Sequence, residues 1–231
     1  MRRVEQLTET RVESVEKALS ILEAFSAERR SLTLTEIAKE TGLYKSNVSR
    51  LAASLERYGY LKRDADRRFR LGPALWRLGT LYRRNFEMGD AIRPVLRQLV
   101  TETGETASFY VLDQDERLCL YRENSPEPVR HHLDEGARLT LRAGAAGHVL
   151  AAYSLQEAAA RARLKADGSC TSAGERNPHI ASAAAPVVDA TGQFHGALAV
   201  SGPLERLSGD ALEMARLRVL LAAQSLGRDI L

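Results

Sequence analysis

Apolar residues in the first third of the chain recur at helical intervals. Val15, Leu19, Leu22 and Phe25, with Ala18 between them, predict one amphipathic helix over about 12–26. In "SLTLTEIAKETG", Thr33 followed by Glu36 has the spacing of a reciprocal capping box, so a second helix starts near Leu34. Gly42 is placed to end it, because glycine adopts the left-handed conformation beyond a helix terminus. Val48, Leu51, Ala52 and Leu55 then define one side of a third helix, and the opposite side carries Lys45, Ser46, Asn47, Ser49 and Arg50 in its first two turns. Tyr44 is a poor N-cap for it. The stretch "GYLKRDADRRFRLG" alternates Leu61, Phe69 and Leu71 with cations around a turn at Asp64–Asp66, the pattern of a short hairpin.

Beyond the hairpin, Pro73 opens another helix, with Leu75, Leu78, Tyr82 and Phe86 at helical spacing and Trp76 and Leu81 alongside. This stripe is too small to form a core alone. It must pack either on an identical helix of a second subunit or in the core of the following domain. Pro94 is expected to begin the next helix, which runs to Gly104. From Thr106 the pattern changes: "TASFYVLDQDERLCLYREN" reads as two strands across a turn at Asp113–Glu116, and "PVRHHLDEGARLTLRAG" supplies one or two more. "AAGHVLAAYSLQEAAARARLKADG" has the composition of two helices broken near Ser154. A strand near "TSAGER", a hairpin around Asp189–Gly192 and a terminal amphipathic helix complete an α+β arrangement of the sensor type.

The order helix, capped helix, tight turn, polar-headed helix and basic hairpin defines a winged helix-turn-helix. In such a motif the leading side chains of the third helix enter the DNA major groove. Arg binds guanine O6 and N7, Asn pairs with adenine, and Ser serves base edges or phosphates. On the wing, Arg63, Arg67, Arg68 and Arg70 are placed to grip phosphate or to enter the minor groove. Charge supports this placement. The net formal charge is only +3, yet residues 1–80 carry 16 Lys/Arg against 11 Asp/Glu, while residues 81–231 carry 17 against 19. Excess cation thus gathers on the half that carries the motif, as a polyanion partner requires.

"SVEKALSILEAF", "LTLTEIAKETGLYKSNVSRLAASLERYGYL" and "RLGPALWRLG", followed by "TSAGER", "AAPVVDATGQFHGALAVSGP" and "LGRDIL", carry a resemblance to IclR-family transcriptional regulators over nearly the whole chain. The resemblance implies an α+β protein in three parts: a winged helix-turn-helix over 11–72, a linker and dimerisation helix over 73–88, and a GAF-like effector-binding domain over 89–231. It further implies a homodimer, or a tetramer, on palindromic double-stranded operator DNA, acting for example as a repressor. Its effector pocket maps onto Gly144, Ala145, Ala146, Ser172, Ile180, Ser182, Ala199 and Ser201, suited to a small organic acid or aromatic metabolite. Free amides at the helix start after Arg142 would attract an anion there. One departure stands out: the segment before Ser172 is short and Ser169 follows Gly168, where many such proteins have a longer stretch and a Tyr. With Ser172 at a position the family often fills with a carboxylate or another polar residue, no fixed charge at that point selects the ligand.

The alternatives are a small-molecule-processing enzyme or binding protein whose winged helix contacts protein, and a DNA-architectural protein without a ligand. Enzymatic signatures are missing from the sequence. "GAAG" at 144–147 is not followed by GK[ST], and no GxSxG occurs. His131 and His132, read along a strand, point to opposite faces and cannot clasp one metal, while His148, His179 and His195 are isolated. No catalytic residue, metal site or cofactor is therefore expected. Cys119 and Cys170 are far apart and read as two reduced thiols. Without an apolar run of membrane-spanning length or a signal-like N-terminus, the sequence predicts a cytoplasmic protein with no membrane partner.

Overall fold

The computed structural model describes residues 11–26, 28–85 and 88–229, with the side chains of 83–85 left aside. Phe86 of the expected linker stripe, and the N-terminal residues read for a signal sequence, lie outside the described residues. The chain divides into two compact units, Met1–Asn85 and Phe86–Leu231.

In the first unit, helix α1 (Glu13–Glu23) packs with α2 (Leu34–Thr41) and α3 (Lys45–Arg57) over a core of Ile21, Ala24, Ile37, Val48 and Ala52. The capping box forms in both directions: the Glu36 amide donates to Thr33 Oγ1 at 3.2 Å, and the Thr33 amide donates to Glu36 Oε2 at 2.6 Å. Gly42 ends α2 with φ +69°. Strands β1 (Leu61–Arg63) and β2 (Phe69–Leu71) form the hairpin, with Leu61 and Phe69 in the core and Leu71 exposed. Leu32, just before α2, bridges Phe69 and ties the wing to the helix pair.

The expected phase of α1 is corrected. Val15 and Leu19 are each 53% exposed, and Ile21 and Ala24 turn inward instead. The helix carries apolar residues on two faces, and spacing alone does not say which one meets the core of its own unit. Helix α4 (Pro73–Asn85) likewise leaves Trp76, Leu78 and Leu81 exposed.

The second unit is built on one six-stranded antiparallel sheet in the order β5-β4-β3-β8-β7-β6. Its strands are β3 (Thr106–Asp113), β4 (Glu116–Glu123), β5 (Arg138–Thr140), β6 (Cys170–Ala173), β7 (Ile180–Val188) and β8 (Phe194–Pro203). Helices α5 (Gly89–Thr103) and α8 (Gly209–Asp229) cover one face, burying Ile92, Leu96, Val219 and Leu226 against Phe109, Val187 and Leu198. Helix α6 (Ala145–Ser154), followed by the single turn α7 (Ala158–Arg161), covers the other. There the sheet presents Ala184, Ala197 and Ala199, small side chains that let α6 approach closely. Successive residues of β8 alternate between the two faces, as the pleat requires.

Helix α5 begins at Gly89, five residues ahead of Pro94, which lies inside it. Near a helix start the missing proline N–H costs little, so the proline does not mark the boundary. His131 and His132 lie in a loop rather than on a strand, and the region supplies only β5. Both cysteines are free and buried, with burial pushing each thiol up to about 11. No helix among the described residues is long and apolar enough to cross a membrane.

The seat of α6 is tight. A Cβ on Gly147 would stand 2.1 Å from the Leu141 carbonyl oxygen, a backbone atom that cannot swing aside. Gly147→Ala is therefore expected to destabilise the second unit by about 1–3 kcal/mol or more, by overpacking, as measured by urea denaturation followed by far-UV circular dichroism.

Candidate functional site

Helix α3 separates its faces cleanly. Val48 and Ala52 are fully buried, while Lys45, Ser46, Ser49 and Arg50 are exposed and Asn47 is partly so. Arg50 donates to Asn47 Oδ1 at 3.1 Å, which holds two side chains able to read bases in one plane of reach. Tyr44 gives no side-chain cap, so amides at the start of α3 are left without that acceptor and add to the anion-attracting end of the helix.

The wing cations expected from sequence divide into three kinds. Arg67 sits at the hairpin tip with φ +63° and is exposed, with no partner among the described residues. Arg63 is exposed but lies over the Phe69 ring at 4.4 Å. Arg68 and Arg70 are engaged within the fold. Arg68 donates to Ser31 Oγ at 3.1 Å, to the Ser31 carbonyl at 2.8 Å and to Glu36 Oε2 at 3.0 Å, and Arg70 pairs with Asp64 at 2.5 Å. The Glu36 carboxylate thus caps α2 and anchors the wing together, and its backbone bond with Thr33, then its other contacts including Arg68, hold it below the usual range. Arg68, read from sequence as a phosphate contact, thus also ties the wing to the start of α2.

In the second unit a partly open cavity of about 30 Å³, room for one water molecule, lies between the start of α6 and strands β3, β4, β6, β7 and β8. Of the residues expected there, Gly144, Ala146, Ser172, Ile180, Ser182, Ala199 and Ser201 line it. Ala145 does not line it; it is fully buried, and its amide donates to Ser182 Oγ at 3.3 Å. The helix-start amides expected to be free are partly taken, because Gly144 N donates to Glu175 Oε2 at 3.0 Å. Glu175 also meets His148 Nε2 at 2.7 Å and pairs with Arg163. Burial raises its pKa, but the Gly144 amide, His148 and Arg163 together outweigh that and hold it below the usual range.

The sequence reading missed Tyr110, Arg117, His131, Glu175, Arg176 and Asn177, all of which reach the cavity. Charge is present after all, though not at Ser172. One signal was available: Arg117 stands two residues before the buried Cys119 on the same strand, and alternate strand positions share a face. His131 has no such signal, since it arrives on an irregular loop.

His131 bridges the two sides of the cavity. Its Nδ1 lies 2.9 Å from Ser201 Oγ, and its Nε2 lies 2.7 Å from an Arg176 nitrogen. A guanidinium only donates, so Nε2 is the acceptor and Nδ1 carries the proton toward Ser201. The ring is neutral: burial foremost, then the Arg122, Arg176 and Arg117 cations and His132, push it down to about 3.

This architecture defines a class: a winged-helix DNA-binding head joined to an α+β ligand-sensing domain. The family models agree, with the IclR helix-turn-helix domain matching residues 14–65 and the bacterial transcriptional regulator IclR C-terminal domain matching 81–165 and 159–228. The chain belongs to the IclR family of transcriptional regulators. The second match falls in two pieces that overlap at 159–165, around α7. The chain is similar to the HTH-type transcriptional regulator BhcR of Paracoccus denitrificans, with 29% identity over 93% of this chain and 86% of that protein. It is similar also to the Pca regulon regulatory protein of Pseudomonas putida, with 28% identity over 91% and 81%. Among solved structures, an IclR transcriptional regulator from Alicyclobacillus acidocaldarius aligns with TM-score 0.76 at 25% identity, covering 94% of this chain and 98% of that one. An IclR homolog from Microbacterium hydrocarbonoxydans complexed with 4-hydroxybenzoate shares the fold, with TM-score 0.78 at 20% identity over 93% and 97%.

A neutral, half-buried His131 makes the protein acid-sensitive in a defined window. The folded pKa lies below the ordinary histidine value of about 6.5, so the stability it contributes is full above that value and declines as pH falls toward 3. The slope approaches about 1.4 kcal/mol per pH unit. Thermal melts between pH 7 and 5 should show falling stability, and His131→Asn should flatten that dependence.

Proposed function

We propose that the protein is a ligand-responsive regulator, without catalytic activity, that binds a palindromic operator in the cytoplasm as a homodimer. The observation that carries this reading is the α3 surface, where the polar side chains of the first two turns face outward while Val48 and Ala52 are sealed in the core. A helix so arranged lays its leading end in a major groove, with Lys45, Ser46, Asn47, Ser49 and Arg50 toward base edges and phosphates. Arg67 and Arg63 on the wing add phosphate or minor-groove contacts.

The exposed apolar residues Val12 just before α1, Val15 and Leu19 on it, and Trp76, Leu78 and Leu81 on α4, support pairing with a second copy. Two-fold pairing of two heads matches a palindromic site. The cavity at the start of α6 is read as the effector site, lined by the small residues Gly144, Ala146, Ser172, Ser182, Ala199 and Ser201 together with Ile180, for a small organic acid or aromatic metabolite. Regulation then requires that the effector bind the DNA-competent and DNA-incompetent states with different affinity.

A mobility-shift titration with the DNA upstream of the protein's own gene tests the reading. Arg50→Ala is expected to weaken the cognate complex by about 1–3 kcal/mol and other sequences less. Arg67→Ala should weaken all sequences and reduce the salt dependence by about one phosphate contact. Arg68→Ala should instead lower the melting temperature of the head. If Arg50 and Arg67 can both be removed without change in operator affinity, the assignment fails. Trp76→Glu combined with Leu81→Glu should convert a dimer to a monomer by light scattering.

A further inference from the structure

Arg117 is the most unusual side chain of the cavity. It is 6% exposed, and among the described residues it makes no hydrogen bond and no salt bridge; its Nε in particular is buried without a partner. The neighbouring groups explain why it is nevertheless held in place. Its guanidinium lies 5.3 Å from the centre of the Tyr110 ring, and its two terminal nitrogens sit where a Cβ on Gly144 would come within 3.3 Å. The missing side chain at Gly144 is what leaves room for the fork. The carboxylate of the cavity, Glu175, is occupied by the Gly144 amide, His148 and Arg163. The second cation of the site, Arg176, stands exposed at the mouth against a neutral His131.

A buried guanidinium without an acceptor is costly, and in proteins such groups are normally paired. Here the group lines the cavity. We propose that Arg117 is the anion receptor of this cavity and that the ligand it takes carries one carboxylate on a small body. The planar fork of a guanidinium matches a carboxylate through two parallel hydrogen bonds. One negative charge neutralises the buried cation, whereas a second would face Glu175. The hydroxyls of Ser172 and Ser201 supply further hydrogen bonds, and Ile180 and Ala199 give the body an apolar wall. A volume of about 30 Å³ favours small acids, with the His131–Arg176 contact parting to admit larger ones. The inference rests on the reading of this cavity as the effector site, and it adds a specificity-determining residue and the charge of the ligand.

Acid and amide pairs test it on the full chain: acetate with acetamide, propionate with propionamide, benzoate with benzamide, together with nitrate as a planar anion. Calorimetric titration and thermal shift are the readouts. The expected result is that at least one acid binds tenfold or more tighter than its amide, and that Arg117→Gln removes the preference while Arg117→Lys, which keeps charge but not the fork, restores part of it. Unliganded Arg117→Gln should melt at or above the wild-type temperature, because an unpaired buried charge has been removed; a purely structural arginine would give a lower value. Amides binding as tightly as acids, silence from every acid, or unchanged acid affinity in Arg117→Gln would each overturn the proposal, and the first two need no variant that might misfold. Operator binding, measured in parallel, keeps the two readings apart. Arg117-dependent acid binding that leaves DNA affinity unchanged sinks the effector reading alone, and release or recruitment of DNA by a neutral compound with no acid bound sinks this inference alone.

Discussion

Helix α6 lies against its sheet at a separation that only glycine and alanine permit, and the site of the second unit follows from that closeness. Gly147 lets the helix rest on the Leu141 carbonyl, while Ala184, Ala197 and Ala199 leave the opposing sheet face shallow. The N-terminal end of the helix is thereby carried to the strand positions of Arg117, Ser182 and Ser201. Larger residues along this seam would lift the helix and dissolve the cavity before any ligand contact was altered. Packing and recognition are therefore the same constraint at this seam, as close-packed interiors demand.

The two units use their arginines in opposite ways. In the head, Arg68 spends its donors on Ser31 and Glu36, so that the carboxylate capping α2 also fixes the base of the wing. In the second unit, Arg216 is 5% exposed yet fully paired through Asp167, Ser169 and Glu213, which locks α8 to the loop before β6. Burial of a guanidinium is thus compatible with this fold when partners are supplied. Against that background Arg117 is the exception, similarly buried and left without an acceptor. Counting cations in the sequence cannot make this distinction, because a surface pair, a structural clamp and an unpaired receptor share one letter.

What could be read from the sequence was local. Thr33 and Glu36 announce their helix start because the capping bond joins residues three apart, and Gly42 announces its end because the left-handed turn needs a residue without Cβ. The two-strand segment from Thr106 and the hairpin around Asp189 follow from alternation and turn residues, and both appear. Failures came where tertiary contacts decide. Val15 and Leu19 satisfy helical spacing as well as Ile21 does, and only the position of the other helices selects Ile21. Pro94 reads as a helix start although a proline early in a helix is tolerated.

The same distinction divides the cavity. Small residues at its rim were legible through family resemblance, since Ser172 sits within "TSAGER" and Ala199 and Ser201 within "AAPVVDATGQFHGALAVSGP". Arg117 lies outside those motifs, and Glu175 and Arg176 end "TSAGER" with no spacing that tells their role, because the three converge only in the fold, from β4 and from the loop after β6. Yet those three charges, with His131 held neutral between Ser201 and Arg176, determine the electrostatic character of the site. The small residues shape a hollow that many members of one fold can share, and the charged residues decide what enters it. Divergence of ligand within a family is then expected to run through long-range side chains such as Arg117, while the seam of glycine and alanine beneath them stays bound by sterics to its present form.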